Sequence, residues 1–171
     1  MHGYIHIYTG DGKGKTTAAL GLIMRARGAG LSVCLLQFLK NGEYSEIQAL
    51  HSSFPSVHIE QFGRKRRIGS PFTSQDRDLA DSGLKRAAEI IGEAHYDVVI
   101  LDEINLVLHH NLLAVEKVTQ VLTRKPDSVE VVLTGRYAPE ELYGYAHLIT
   151  EMKAVKHYIQ QGVTSRRGIE K

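Results

Sequence analysis

The segment Gly10-Asp11-Gly12-Lys13-Gly14-Lys15-Thr16-Thr17 constrains this chain more than any other. It follows an apolar run, Tyr4 to Thr9, that reads as a strand rich in Ile and Tyr. It opens a stretch in which Ala19, Leu22, Ile23 and Ala26 fall on one helical face. A glycine-rich turn between a strand and a helix is a phosphate cradle. Glycine lets backbone N–H groups turn toward an anion, and the helix N-terminus adds unsatisfied donors and a positive dipole end. Lys15 supplies a point charge for the β- and γ-phosphates, and the Thr16 hydroxyl can ligate Mg²⁺. In the usual pattern a glycine stands five residues before Gly14; here Thr9 holds that position and the glycine follows at Gly10. The competing reading, a structural turn rich in Gly and Lys, is disfavoured by the flanking strand and helix.

The rest of the chain alternates short apolar runs with helical stretches, the pattern of an α/β domain with a mainly parallel sheet of five to six strands. Ser32 to Phe38 is continuously apolar apart from Gln37, as in a strand covered on both faces. A short helix is expected near Ser45 to His51, and a third strand over Val57 to Gln61. Ser74 can cap a long helix with a buried stripe of Ala80, Leu84, Ala87, Ala88 and Ile91. Val98 to Leu101 reads as a fourth strand and Glu130 to Thr134 as a fifth. Between them, Leu112, Val115, Val118, Val121 and Leu122 form a helical stripe. Pro139 can open a helix through Tyr145, and His147 to Glu151 fits an edge strand. The polar tail beyond has no legible structure. The 171 residues suit one nucleotide-binding domain, 1–171.

Two further strand ends carry chemistry. Val98 to Leu101 delivers Asp102 and Glu103 to the edge where parallel α/β sheets bind ligands. Either carboxylate can hold a metal opposite Thr16, directly or through water. Thr134-Gly135-Arg136 ends the next strand; Arg136 can reach a polyphosphate or a leaving group, or be a surface arginine after a tight turn.

Composition removes several other classes. Lys and Arg total 21 against 19 Asp and Glu, too even a balance for a dedicated polybasic nucleic-acid binder. The run Arg64-Lys65-Arg66-Arg67 could bind polyanions, but it lacks interleaved aromatics and reads as a solvated loop. One cysteine, Cys34, excludes an internal disulfide and a multi-thiolate metal site, which favours a reducing cytoplasm. No apolar window is long enough to span a bilayer. The nine histidines lack metal spacing; adjacent His109 and His110 point in different directions on a helix and read as structural or exposed. No nucleic-acid or membrane partner is expected.

Taken together, Tyr8 to Ala19, Gln37-Phe38-Leu39-Lys40, Leu101-Asp102-Glu103 and Thr134-Gly135-Arg136 resemble the P-loop-type ATP:corrinoid adenosyltransferases. So do Val155-Lys156-His157, Gly162-Val163 and Gly168-Ile169 of the tail, and the likeness spans nearly the whole chain. The resemblance implies a RecA-like P-loop fold, a homodimer, and attack of a Co(I) corrinoid on C5′ of ATP with release of triphosphate. The corrinoid would be cobalamin, cobinamide or cobyrinic acid a,c-diamide, and a flavoprotein reductase would supply electrons. ATP would lie along the loop in the sense opposite to most P-loop proteins, which the shift at Thr9 accommodates.

By the same resemblance, Gly10, Asp11, Gly12, Lys13, Gly14, Lys15, Thr16 and Thr17 hold the triphosphate, with Arg25 near the nucleoside. Lys15, Glu103 and Arg136 act on the developing charge, and Thr16 and Glu103 contact Mg²⁺ or Mn²⁺. Phe38, Lys40, Phe62 and Phe72 fall to the corrinoid, where aromatics favour four-coordinate Co(II). The chain has no tryptophan where family members carry one after that phenylalanine; Ser74 lies in the region. It also begins close to its first strand, so the N-terminal cover of longer relatives is expected to be missing. Three other readings compete: a RecA-like ATPase acting on nucleic acid, a P-loop small-molecule kinase, and a corrinoid chaperone without turnover.

Overall fold

The computed structural model describes residues 2–65 and 69–170, so Arg66 and Arg67 of the basic run lie outside the described residues. Six strands form one all-parallel sheet: β1 (Ile5–Thr9), β2 (Val33–Phe38), β3 (His58–Phe62), β4 (Val98–Asp102), β5 (Glu130–Thr134) and β6 (Leu148–Glu151). Their order is β3-β2-β4-β5-β1-β6, with β6 at the edge. Helices α1 (Lys15–Gly28), α2 (Ser45–Ser53), α3 (Ser74–Glu93), α4 (Ile104–His109) and α5 (Val115–Thr123) flank it. This is the α/β, RecA-like P-loop arrangement that the strand–turn–helix pattern implies. No helix among the described residues is long and apolar enough to cross a membrane.

Side-chain alternation along the strands builds two cores. Ile5, Ile7, Cys34, Leu36, Phe38, Val99, Leu101, Val131 and Leu133 pack with α3, α4 and α5. Val33, Leu35, Val98, Ile100 and Val132 pack with α1 and α2 on the other face. The same parity decides the polar ends of the strands. Gln37, Asp102 and Thr134 follow Leu35, Ile100 and Val132 and therefore face α1. Register aligns Gln37 with Asp102, and Thr134 stands one residue beyond the Leu101–Leu133 pair. Every parallel strand points its C-terminal end to one edge, so the turns after β1, β2, β4 and β5 converge there.

Several helix expectations are corrected. Thr73, not Ser74, caps α3: its hydroxyl and backbone close a capping box with Asp76. Arg64 grips the same carboxylate at 2.8 Å, so the loop before α3 is tied to its first turn. The buried stripe of α3 runs through Ala80, Gly83, Leu84, Ala87, Ile90 and Ile91, while Ala88 is exposed. Gly83 is required by packing, since a Cβ there would sit 2.8 Å from the rings of Phe38 and Phe62. The helical stripe expected from Leu112 to Leu122 corresponds to α5 alone, with Leu112 in the turn before it, and the short α4 precedes that stripe. The segment after Pro139 is a 3-10 turn, Glu140–Tyr145. The tail is ordered around a second one, Tyr158–Gln161.

Replacing Thr73 with Ala should cost about 1 kcal/mol in urea unfolding, and Ser74→Ala only a few tenths. The pH dependence follows from Asp76, whose pKa falls from 3.8 to about 2 mainly through hydrogen bonding to Arg64, against the opposing effect of burial. A depressed carboxyl pKa stabilises the fold above its unfolded value. That contribution should be lost as pH falls from about 4 toward 2, and absent in Asp76→Asn.

Candidate active site

Asp102 is the centre of the converging edge. It is fully buried, and four donors surround its carboxylate. Oδ1 accepts from the hydroxyls of Thr16 at 2.9 Å and Thr134 at 2.6 Å. Oδ2 accepts from the Gln37 amide at 3.0 Å and the Lys40 ammonium at 2.7 Å. Gln61 donates to the Gln37 carbonyl at 2.9 Å and so orients that amide. Burial alone would raise the Asp102 pKa, but the Lys40 charge and these hydrogen bonds outweigh it and hold the carboxyl below its ordinary value.

Glu103, the next residue, lines the adjoining clefts. Its backbone is left-handed, φ 64°, and its N–H donates to the Thr134 hydroxyl at 3.0 Å. Burial and the neighbouring Asp102 charge raise its pKa. Leu39, directly after β2, and Tyr137, three residues after β5, are also left-handed, at φ 58° and 59°. Three non-glycine residues in this costly conformation at one sheet edge show backbone strain concentrated where side chains must be aimed.

The phosphate loop is built by close approach to the chain after β6. A Cβ on Gly10 or Gly12 would lie 2.4 or 2.6 Å from the Met152 carbonyl oxygen. The Gly12 N–H donates to that oxygen at 2.7 Å, and Asp11 Oδ1 accepts from the Ala154 N–H at 3.1 Å. These two groups therefore brace the loop against the chain after β6. Lys15 donates to the carbonyls of Gly10 and Gly12, and burial, with the Arg136 charge, lowers its pKa. Helix α1 starts after Gly14 with no side-chain cap, so its first-turn N–H groups open toward the cleft. Lys13 turns outward, donating to Tyr158, to the Ile169 carbonyl and to Glu170.

Two clefts meet at Glu103. The first, about 760 Å³, runs along Gly12 to Thr17 and is walled by Arg136, Tyr137, His109 and the tail residues Ile169 and Glu170. The second, about 660 Å³, is lined by Leu39, Lys40, Tyr44, Phe72, Leu106 and His110. Glu103, Leu106 and His110 belong to both. The adjacent histidines diverge: His109 packs on Tyr137 at 4.3 Å between ring centres and His110 on Phe72 at 4.5 Å.

Lys15, Thr16, Glu103 and Arg136 thus come together, with Lys40 and Phe72 next to them. Phe38 does not: parity turns it under α3, where it is fully buried against Phe62. Phe62 packs on the same core. Arg25 is exposed on α1, ten residues beyond Lys15, or about 15 Å along the axis, outside the first cleft. Gln37 and Thr134, quoted only within motifs, and His109 and His110, read as structural or exposed, also belong to this region. Strand parity would have marked the first two, and helical divergence of an adjacent pair at a cleft rim the others.

Asp102→Asn would set an amide donor against hydroxyl or ammonium donors. It should destabilise the fold by about 3–5 kcal/mol in denaturant unfolding. A cost below about 1 kcal/mol would contradict the buried network.

Comparisons with known proteins agree with this geometry. The sequence profile of the family described as ATP:corrinoid adenosyltransferase BtuR/CobO/CobP matches residues 1–170. A corrinoid adenosyltransferase of Pseudomonas aeruginosa is 32% identical over 177 residues, covering 98% of this chain and 83% of that protein. One from Escherichia coli K12 is 30% identical over 176 residues, covering 98% and 85%. An uncharacterised protein of Nostoc sp. is 42% identical over 172 residues, or 92% of this chain, which spans 45% of that longer protein.

Proposed function

The chain belongs to the ATP:corrinoid adenosyltransferase family, and on that premise we propose that it transfers the 5′-deoxyadenosyl group of ATP to the Co(I) centre of a corrinoid. The observation that carries this reading is the pair of clefts sharing Glu103, Leu106 and His110. A phosphate-binding cleft that continues into an aromatic and aliphatic one can bring the ribose C5′ of ATP against a flat macrocycle. The cobalt electron pair forms the Co–C5′ bond, the C5′–O bond breaks, and its pair leaves on the triphosphate. Cobalt goes from Co(I) to alkyl-Co(III), and no protein nucleophile is needed.

The residues have positioning and electrostatic work. The first turn of α1, Lys15 and Arg136 hold the triphosphate and take up its developing charge. Thr16 offers hydroxyl lone pairs while its proton is directed to Asp102. No group of three or more His, Cys, Asp or Glu placed to hold a metal occurs among the described residues. A resident metal cage is therefore not the fit. One hydroxyl, one carboxylate and phosphate oxygens are the hard donors that Mg²⁺ or Mn²⁺ takes, and Thr16 and Glu103 would hold it. The ion would supply charge neutralisation. Phe72 and Leu106 would face the corrinoid and exclude an axial ligand.

Residues 1–171 act as one nucleotide-binding domain in this reading. The partners would be a flavoprotein that delivers one electron to Co(II) and a second copy of the chain. The exposed edge strand β6, with Leu148 and Ile149 about 40% exposed, offers that copy an open sheet edge. The protein would work in the cytoplasm, where the buried Cys34 thiol, pushed up to about 12 chiefly by burial, stays inert.

Incubation with ATP, Mg²⁺ and chemically reduced cob(I)alamin should convert the Co(I) spectrum to that of light-sensitive adenosylcobalamin. Persistence of Co(I) would reject the reading. Lys15→Ala should lower kcat by about 10²-fold or more. Phe72→Ala should lose more activity when the substrate is Co(II) with a reductase than when Co(I) is preformed; equal losses would argue against an axial-ligand role.

A further inference from the structure

We propose that Lys40 is a positioning residue of the ATP side of the site, its ammonium taking the place on Asp102 where a hydrated divalent cation would otherwise be held. The inference rests on the phosphate-site reading above and assigns Lys40 a different role from the corrinoid contact that family resemblance implies.

Three observations support it. First, the Lys40 ammonium is 2.7 Å from Asp102 Oδ2 and 3.5 Å from the Thr16 hydroxyl, within the cluster that organises the phosphate loop. Second, with Gln37 it completes the ligation of Oδ2 while Thr16 and Thr134 complete Oδ1. Asp102 thus has two acceptor positions filled on each oxygen and cannot hold a metal or its water without losing one of these donors. The metal then falls to the next carboxylate, Glu103, which lies on the cleft side. Third, the backbone is strained to put Lys40 there. Leu39 is left-handed and donates its N–H to the Phe62 carbonyl at 2.9 Å. The chain passes so close to Gly63 that a Cβ there would meet the Lys40 backbone nitrogen at 2.4 Å. Burial would lower the Lys40 pKa, but the charges of Asp102 and Glu103 prevail and keep it protonated.

The consequence is electrostatic. Asp102 and Lys40 form a neutral pair behind Thr16, so the triphosphate meets no net negative charge from Asp102. Thr16 stays fixed with its proton on Asp102 even before a metal arrives. Removing the ammonium would uncover a buried carboxylate beside the polyphosphate. It would also create a second carboxylate for a divalent ion.

The test uses no corrinoid. Inorganic triphosphate and ATP are titrated calorimetrically into wild type, Lys40→Gln and Lys40→Arg, with and without Mg²⁺, and Mn²⁺ binding to each ATP complex is followed by electron paramagnetic resonance. Lys40→Gln keeps a hydrogen-bond donor for Asp102 and discards the charge; melting temperatures separate loss of fold from loss of charge. In Lys40→Gln, metal-free triphosphate should bind about tenfold or more weakly and Mn²⁺ severalfold more tightly. Lys40→Arg should restore both toward wild type, which also keeps the test decisive if Lys40→Gln melts near the assay temperature. Unchanged triphosphate and Mn²⁺ binding in Lys40→Gln, with a raised KM for the corrinoid alone, would overturn the proposal. Adenosyl transfer could fail while these results stand. Failure of wild type to bind triphosphate at all would instead sink the phosphate-site reading.

Discussion

The buried carboxylate of Asp102 is the interaction on which the rest of the site depends. A lone ion at that depth would be prohibitive, and the fold answers with donors from four different segments. Each donor comes from a separate element: Gln37 from β2, Lys40 from the turn after it, Thr134 from β5 and Thr16 from α1. Satisfying one buried charge therefore fixes the relative position of the phosphate loop, the central strands and the turn that walls the second cleft. The hydroxyl of Thr134 passes the constraint on by accepting from the Glu103 N–H, which helps hold that residue in its left-handed conformation.

A second constraint acts on the phosphate loop itself. Met152 approaches Gly10 and Gly12 more closely than any side chain would permit. The displaced glycine, one position later than the usual pattern, is explained by this contact with the chain after β6. The contact also divides the loop's labour. Asp11 and Gly12 bond to the chain after β6, while Gly14, Lys15 and the first turn of α1 line the first cleft. Lys13 is tied to the tail through Tyr158 and Glu170, so the tail forms one wall of the phosphate cleft.

Much of this was legible in the sequence because it depends on local rules. The strand–glycine turn–helix order, the acidic end of β4 and the Gly135-Arg136 turn all occur where periodicity places them. The strand boundaries differ from expectation by a residue or so. What escaped were consequences of three-dimensional placement. Resemblance over Gln37 to Lys40 assigns Phe38 to the ligand, yet Phe38 shares the α3 face with Cys34 and Leu36, and the left-handed Leu39 breaks the alternation before Lys40. Ser74 looked like a helix cap, but the choice fell to Thr73, whose partner Asp76 completes a box. The short α4 directly after β4 was not legible, and the left-handed Asn111 separates it from α5. The tail was opaque since its order comes from long-range bonds to Lys13, which no local pattern records.

The central claim is that this edge holds a triphosphate intact as a leaving group and does not activate water against it. Asp102 is saturated by donors, so it does not stand ready as a base for hydrolysis. The most direct measurement is the phosphorus NMR spectrum of the products when ATP is turned over with a Co(I) corrinoid. The account predicts one inorganic triphosphate for each adenosylated corrinoid. ADP and orthophosphate as the primary products would contradict it.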